Sequence, residues 1–262
     1  MEWSEPGIVL SVRRHGESSA IVSLFTRGHG RHLGLVRGGA GRRQRGMLQP
    51  GNLVGATWRA RLPEHLGNLV CEPAEAFSAR VLEEPGRLEA MVASLAVLDS
   101  ALAEHEAHAD LYDATIDMLR ILAGPPPPSE VGAGAPAWAI SYVRWEVRCL
   151  AEFGFGLDLA RGEMAARPVW VSPRTGRAVG AEQGAPYASR LLALPAFLTL
   201  GGRGEETVTQ AGTPSAADIR AGLELTGHFL ERHVLGPQER DLPAARRRLL
   251  ERWRRLATTS GG

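Results

Sequence analysis

Gly7-Ile-Val-Leu-Ser-Val-Arg13 and, beyond a turn at Gly16, Ala20-Ile-Val-Ser-Leu-Phe25 are the runs that decide the fold. In the first, Ile8, Leu10 and Val12 alternate with Val9, Ser11 and Arg13. In the second, Ala20, Val22 and Leu24 alternate with Ile21, Ser23 and Phe25. A period of two puts successive side chains on opposite faces of an extended chain, so both runs read as strands. Working outward, Leu33 to Val36 is a third segment, Leu53 to Trp58 a fourth and Leu69 to Cys71 a fifth. Glycine-bearing turns at Gly28–Gly30, Gly38–Gly41, Pro50-Gly51 and Gly67 separate them. Five short strands at roughly ten-residue spacing fit a small closed barrel. The stretch from Gly38 to Met47 falls where an OB barrel carries a short helix between its third and fourth strands. Trp58 and Phe25 lie in strands and are expected in the core.

From Leu82 the period changes. Leu88, Met91, Val92, Leu95, Leu98 and Leu102 recur at helical spacing, and Leu111, Thr115, Met118, Leu119 and Leu122 form a second series. Gly124 and Pro125 to Pro128 break the pattern. A third helix is expected over Pro136 to Phe153, ended by Gly154 and Gly156. Pro168 to Val179 reads as a small hairpin around Pro173-Arg-Thr-Gly176. Helices are expected again over Ala185–Leu200, Ser215–Leu235 and Pro243–Leu256, with Ser215 and Asp218 as a capping box. The loops at 124–135 and 201–213 are expected to be mobile. The fold class is therefore α+β: a five-stranded OB-fold barrel over residues 1–80, then a mostly helical domain over residues 81–262 with a hairpin insert near 168–180.

The chain of 262 residues is 44% hydrophobic and 23% charged, enough for a sizeable core and close to the globular norm. No apolar run is long enough for a membrane span, and the acidic start lacks a signal-peptide core. Two distant cysteines, Cys71 and Cys149, make neither a disulfide framework nor a cysteine-rich metal site, which fits a reducing cytoplasm. All thirty basic residues are arginine, and the net charge of +1 hides an uneven spread. Residues 1–62 carry net +7, residues 63–238 net −10 and residues 239–262 net +4. A basic module at one end suits a polyanion.

Thr26 to Gly46 holds six arginines and seven glycines. Guanidinium groups bind phosphates bidentately and stack on bases, and glycines allow a close backbone approach. The candidate DNA-binding residues are Arg13, Arg14, Arg27, Arg31, Arg37, Arg42, Arg43, Arg45, Arg59 and Arg61. Gly38-Gly39-Ala40-Gly41 lacks the lysine and hydroxyl residue of a P-loop, which excludes nucleotide hydrolysis there. Few aromatics stand in the basic module, so binding is expected to rest on phosphate contacts with little sequence preference. His29 and His32 lack a neighbouring acid in sequence. His105 and His108 share a helical face with Glu104 and Asp110, and that reads as a polar surface. His228 and His233, five apart, should share a helix face poorly. No metal site, cofactor or catalytic constellation is expected, so an enzyme is not. The arginines at 246–248, 252, 254 and 255 form a second basic stretch. Two further classes stand beside DNA binding: an adaptor whose OB barrel holds a peptide, and a nuclease, which the three glutamates of the basic module do not equip with metal ligands. An OB groove also accepts RNA.

These residues resemble the RecO family of bacterial recombination mediators. The resemblance rests on Gly7 to Arg13, Gly16-Glu17-Ser-Ser-Ala-Ile-Val-Ser-Leu-Phe-Thr26, His29-Gly-Arg31, Val36-Arg-Gly-Gly-Ala40 and Leu48-Gln-Pro-Gly-Asn52. It continues through Arg144-Trp-Glu-Val147, Phe153-Gly-Phe-Gly-Leu-Asp-Leu159, Val171 to Val179 and Leu191 to Leu198. It implies an N-terminal OB-fold, binding of single- and double-stranded DNA, and annealing of complementary strands. It also implies partnership with RecR and with the acidic C-terminal tail of SSB, helping RecA replace SSB on gapped DNA in a nucleoid-associated, cytoplasmic setting. Arg144 and Arg148 fall in the helix that the resemblance links to the SSB tail. Many relatives carry a four-cysteine zinc site flanking the Val-Ser-Pro hairpin. Here Arg161, Gly162, Glu163 and Met164 stand at the first cysteine pair, so no metal is expected and packing must hold the hairpin.

Overall fold

The computed structural model describes residues 1–62, 65–125, 134–159, 168–199 and 213–259. Most of the two loops expected to be mobile, and all of Arg161 to Met164, lie outside them. The chain clusters into two compact units. The first is Met1–Gly124 with Pro243–Arg246, and the second is Pro125–Leu242 with Arg247–Gly262.

In the first unit, β1 (Glu2–His15), β2 (Ser19–Thr26), β3 (Gly30–Val36), β4 (Leu53–Arg59) and β5 (Asn68–Glu75) close into a barrel of order β1-β2-β3-β5-β4. That is the OB-fold order. The long β1 pairs through its first half with β4 (Glu2↔Arg59 to Ile8↔Leu53) and through its second half with β2 (Gly7↔Thr26 to His15↔Ser19). The ladder shifts register between Val9 and Ser11, the irregularity that lets one strand serve two neighbours. Alternate residues point inward. Val9, Val22, Leu24, Val54, Trp58 and Leu69 are almost wholly buried, each worth roughly 1.5–3 kcal/mol of burial. The expected core positions Trp58 and Phe25 are 2% and 0% exposed. The short helix α1 (Arg42–Met47) occupies the β3–β4 connection, as expected.

Three helices complete this unit: α2 (Phe77–Val81), α3 (Pro85–Ala101) and α4 (Ala109–Ala123). The α3–α4 linker docks on the start of β3. His105 N donates to Arg31 O at 2.9 Å, and Arg31 bridges Glu104 in parallel. His105 adopts a positive φ of 66° to do this. His105 and His108 therefore do not share a helical face. Leu102 is already extended, and α4 begins only after His108.

The second unit contains α5 (Ala137–Glu152), β6 (Pro168–Val171), β7 (Ala178–Gly180), the short α6 (Ala181–Gly184), β8 (Leu192–Ala193), α7 (Ala196–Thr199), α8 (Ala216–Phe229) and most of α9 (Ala244–Thr259). The capping box at Ser215 is present in both directions. The continuous helix expected over 185–200 is not. A 3-10 turn covers Ala185–Arg190, and Leu192 and Ala193 then pair with Val171 and Trp170. Proline at 195 removes a donor that a continuous helix needs, and the edge of β6 offers the alternative pairing. The expected hairpin is thus the core of a three-stranded sheet β7-β6-β8.

Gly30 shows how tightly the linker seats. Its φ is +64°, and a Cβ there would overlap the Glu106 carbonyl. Gly30→Ala should lower unfolding stability by roughly 2–5 kcal/mol in urea titration. Gly16→Ala has a similar φ of +61° with open space around it, and should cost only about 1–2 kcal/mol.

Candidate nucleic-acid interface

Helix α1 has no buried residue and no side-chain N-cap. It is held from below by Asn52. The buried Asn52 amide donates to Gly46 O and Met47 O, each at 3.1 Å, while its oxygen accepts from Ser78 N at 3.0 Å and Ser78 Oγ at 2.8 Å. Those bonds satisfy carbonyls at the helix end that have no intrahelical donor. From the β1–β2 turn, Ser18 O accepts from Ala40 N at 2.9 Å, which ties the loop before α1 to the start of β2. Arg42, Arg43 and Arg45 are consequently presented outward on a fixed turn, all exposed.

Three recesses border this helix. One of about 280 Å³ lies between Arg14 and Arg45, floored by Val12, Ala20 and Leu48. A second of about 490 Å³ takes in Arg37, Arg59, Gln44, Asn68 and Val70. A third of about 750 Å³ has Arg43 on its wall with Glu72 and Glu75. The second and third share Gln44 and Cys71. Both follow β5, which pairs with β3 only at Leu35↔Asn68, so the rest of that edge has no strand on it. Arg13, Arg37, Arg42, Arg43 and Arg61 make no ion pair among the described residues, and Arg14 donates only to Glu17 O.

The ten candidate arginines are not one set. Arg27 sits in the β2–β3 turn and donates three hydrogen bonds to Asp113 of α4 at 3.1–3.2 Å. Arg31 is enclosed: Nε donates to Leu102 O at 3.0 Å and Nη2 to Glu104 at 3.0 Å, with Asp99 at 3.9 Å and only 13% of the side chain exposed. These two fasten helices to the barrel. Arg59 is engaged by Glu2 but stays open to solvent. Composition alone carries no sign of this, because the acids concerned lie far away in sequence.

Aromatic rings that the sequence made look scarce gather beside β1. His29 stacks on Trp3 at 4.6 Å, and Trp3 stacks on Trp58 at 6.0 Å. His32 meets Trp58 edge-on at 4.7 Å and His105 at 4.2 Å. Glu5 accepts from His29 Nδ1 at 2.5 Å and from Gly28 N at 3.1 Å, so His29 does have an acid, brought by β1. His32 is 7% exposed, and its buried Nε2 has no hydrogen-bond partner among the described residues. Burial, reinforced by His105, depresses its pKa to about 4. Among the described residues no group of three or more His, Cys, Asp or Glu could hold a metal.

In the second unit, Arg144 and Arg148 lie one turn apart on the exposed side of α5, and Arg144 Nη2 donates to Phe197 O at 3.0 Å. Partial burial lowers the Arg144 pKa. The hairpin is gripped by backbone. Asp158 N donates to Gly176 O at 3.0 Å and Ala178 N to Asp158 O at 2.8 Å. A π-helical turn, Leu230–Leu235, follows α8 and packs His233 on Phe155 at 3.9 Å. Burial first, then Arg232 and His228, lower the His233 pKa. No helix among the described residues is long and apolar enough to cross a membrane.

These features define an OB-fold protein with a basic rim at one end of its barrel. Residues 1–77 match the family described as Recombination protein O N terminal, and residues 82–242 match Recombination protein O C terminal. The DNA repair protein RecO of Rhodospirillum rubrum is 49% identical, covering 97% of each chain. That of Rhodospirillum centenum is 47% identical over 100% of this chain and 98% of its own, and that of Cereibacter sphaeroides 43% over 96% and 98%. The chain belongs to the RecO family of DNA repair and recombination proteins.

The histidine cluster sets a pH dependence. Because the folded pKa of His32 lies below its ordinary value of 6.5, the unfolded chain binds the extra proton first on acidification. The stability is whole above pH 6.5 and is lost as pH falls toward about 4. Thermal melts should show this loss, on the order of 2 kcal/mol, and His32→Gln should flatten it.

Proposed function

We propose that the protein is a non-catalytic recombination mediator that binds single- and double-stranded DNA through residues 1–80 and anneals complementary strands. With RecR, and with SSB through its C-terminal tail, it helps load RecA at gaps, working in the cytoplasm on the nucleoid. The observation that carries this reading is the rim around α1. Arg14, Arg37, Arg42, Arg43 and Arg45 are exposed and have no acidic partner among the described residues, and all but Arg42 line open recesses. Arg13 and Arg61 add charge to this set. Arg59 joins it once freed from Glu2, while Arg27 and Arg31 serve the barrel's own packing.

The mechanism is electrostatic. Each phosphate neutralised by a guanidinium releases condensed counterions, which drives binding and makes it salt-dependent. Two strands whose charges are screened on one protein approach closely enough to pair, so annealing needs no bond chemistry. The second unit supplies the partner site. Arg144, fixed by Phe197 O, and Arg148 one turn on present two cations to an acidic peptide.

Replacing Arg42, Arg43 and Arg45 together by alanine should weaken single-strand binding at least tenfold and reduce the salt slope by about 2, as read by fluorescence anisotropy at several salt concentrations. An unchanged slope would instead favour an adaptor whose barrel holds a peptide. Arg144→Glu should weaken binding of an SSB-tail peptide about tenfold while leaving DNA affinity intact.

A further inference from the structure

We infer that the recess between Arg37 and Arg59 is a nucleotide subsite for single-stranded DNA, and that Glu2 occupies it as an internal stand-in for a backbone phosphate. The inference rests on the DNA-binding reading above and adds a gate to it. The barrel register places Glu2 directly opposite Arg59. Arg59 grips the carboxylate through both arms of its fork, with Nε to Oε2 at 3.1 Å and Nη2 to Oε1 and Oε2 at 2.8 Å. A phosphodiester presents the same pair of oxygens to the same fork. The two side chains remain 71% and 49% exposed, so their pairing is weak and exchange with an incoming anion costs little.

The surroundings fit a nucleotide. The recess of about 490 Å³ lies within the roughly 300–1,000 Å³ range of small-ligand sites. Arg37 makes no ion pair among the described residues and lines the recess together with Arg59, so two cations border the space. Val70, 62% exposed, and Leu35 offer an apolar floor for a sugar or base. Asn68 and Thr57 line it with polar groups. Gln44 Oε1 is buried there and accepts no hydrogen bond among the described residues, leaving an acceptor for a base amino group. Met1 ammonium donates to Ala60 O at 2.7 Å, which holds the start of β1 and keeps Glu2 over its target. Arg59 depresses the Glu2 pKa, so the carboxylate is ionised at neutral pH and competes as an anion.

The test uses the full chain and a fluorescein-labelled oligothymidylate. Glu2→Gln should tighten binding about two- to fivefold relative to Glu17→Gln, an equal charge change in the β1–β2 turn, and steepen the salt slope by about 0.7. Arg59→Ala should abolish that gain in the double variant. Equal affinities for the Glu2 and Glu17 variants, or a gain that persists without Arg59, would overturn the inference. If the α1 triple variant still weakens binding in that case, only the gate is lost. If the triple variant also has no effect, the DNA-binding reading itself fails.

Discussion

Strand β1 pairs twice, and the rest of the first unit follows from that. One 14-residue strand gives its first half to β4 and its second to β2, with a register shift where it changes neighbour. This closes five strands into a barrel and so removes most of the open edge a flat sheet would expose. It also fixes chemistry. Glu2 meets Arg59, and Glu5 reaches Gly28 and His29, only because residues more than fifty and twenty positions away are brought into register. The β3–β5 seam is the weak side of the same closure, with a single pairing at Leu35 and Asn68, and the larger recesses open there.

Much of the fold was legible because it follows local periods. Two-residue alternation located β1 and β2, short apolar segments between glycine-bearing turns located β3, β4 and β5, and helical spacing located α3 and α4. Where the reading failed, distant partners overrode local preference. Leu192 and Ala193 left a helix-like stretch to pair with β6, and His105 left a helix face to cap β3. The five-residue spacing of His228 and His233 was set aside on ordinary helix geometry, whereas the chain uses a π turn there.

The site was legible as a charge excess but not as a pattern of pairing. Sequence counted ten arginines as equivalent. The fold divides them into the α1 rim, which faces solvent, Arg27 and Arg31, which bind the acids of α3, α4 and their linker, and Arg59, which is shared with Glu2. Negative charge in residues 63–238 thus has a local use: some of it neutralises cations at one end of the barrel, which leaves the excess concentrated at the other. Gln44 and Asn68 carry no charge and belong to no motif, so only the closed barrel reveals that they line the same recess.

The barrel interior is filled by its own side chains, Val9, Val22, Leu24, Val54, Trp58 and Leu69, packed without room for a chain. Nothing can therefore thread through the interior. The recesses around α1 are surface features, reached sideways. A polymer lying in them needs no free end to enter or leave, so a closed circle is as accessible as a linear fragment.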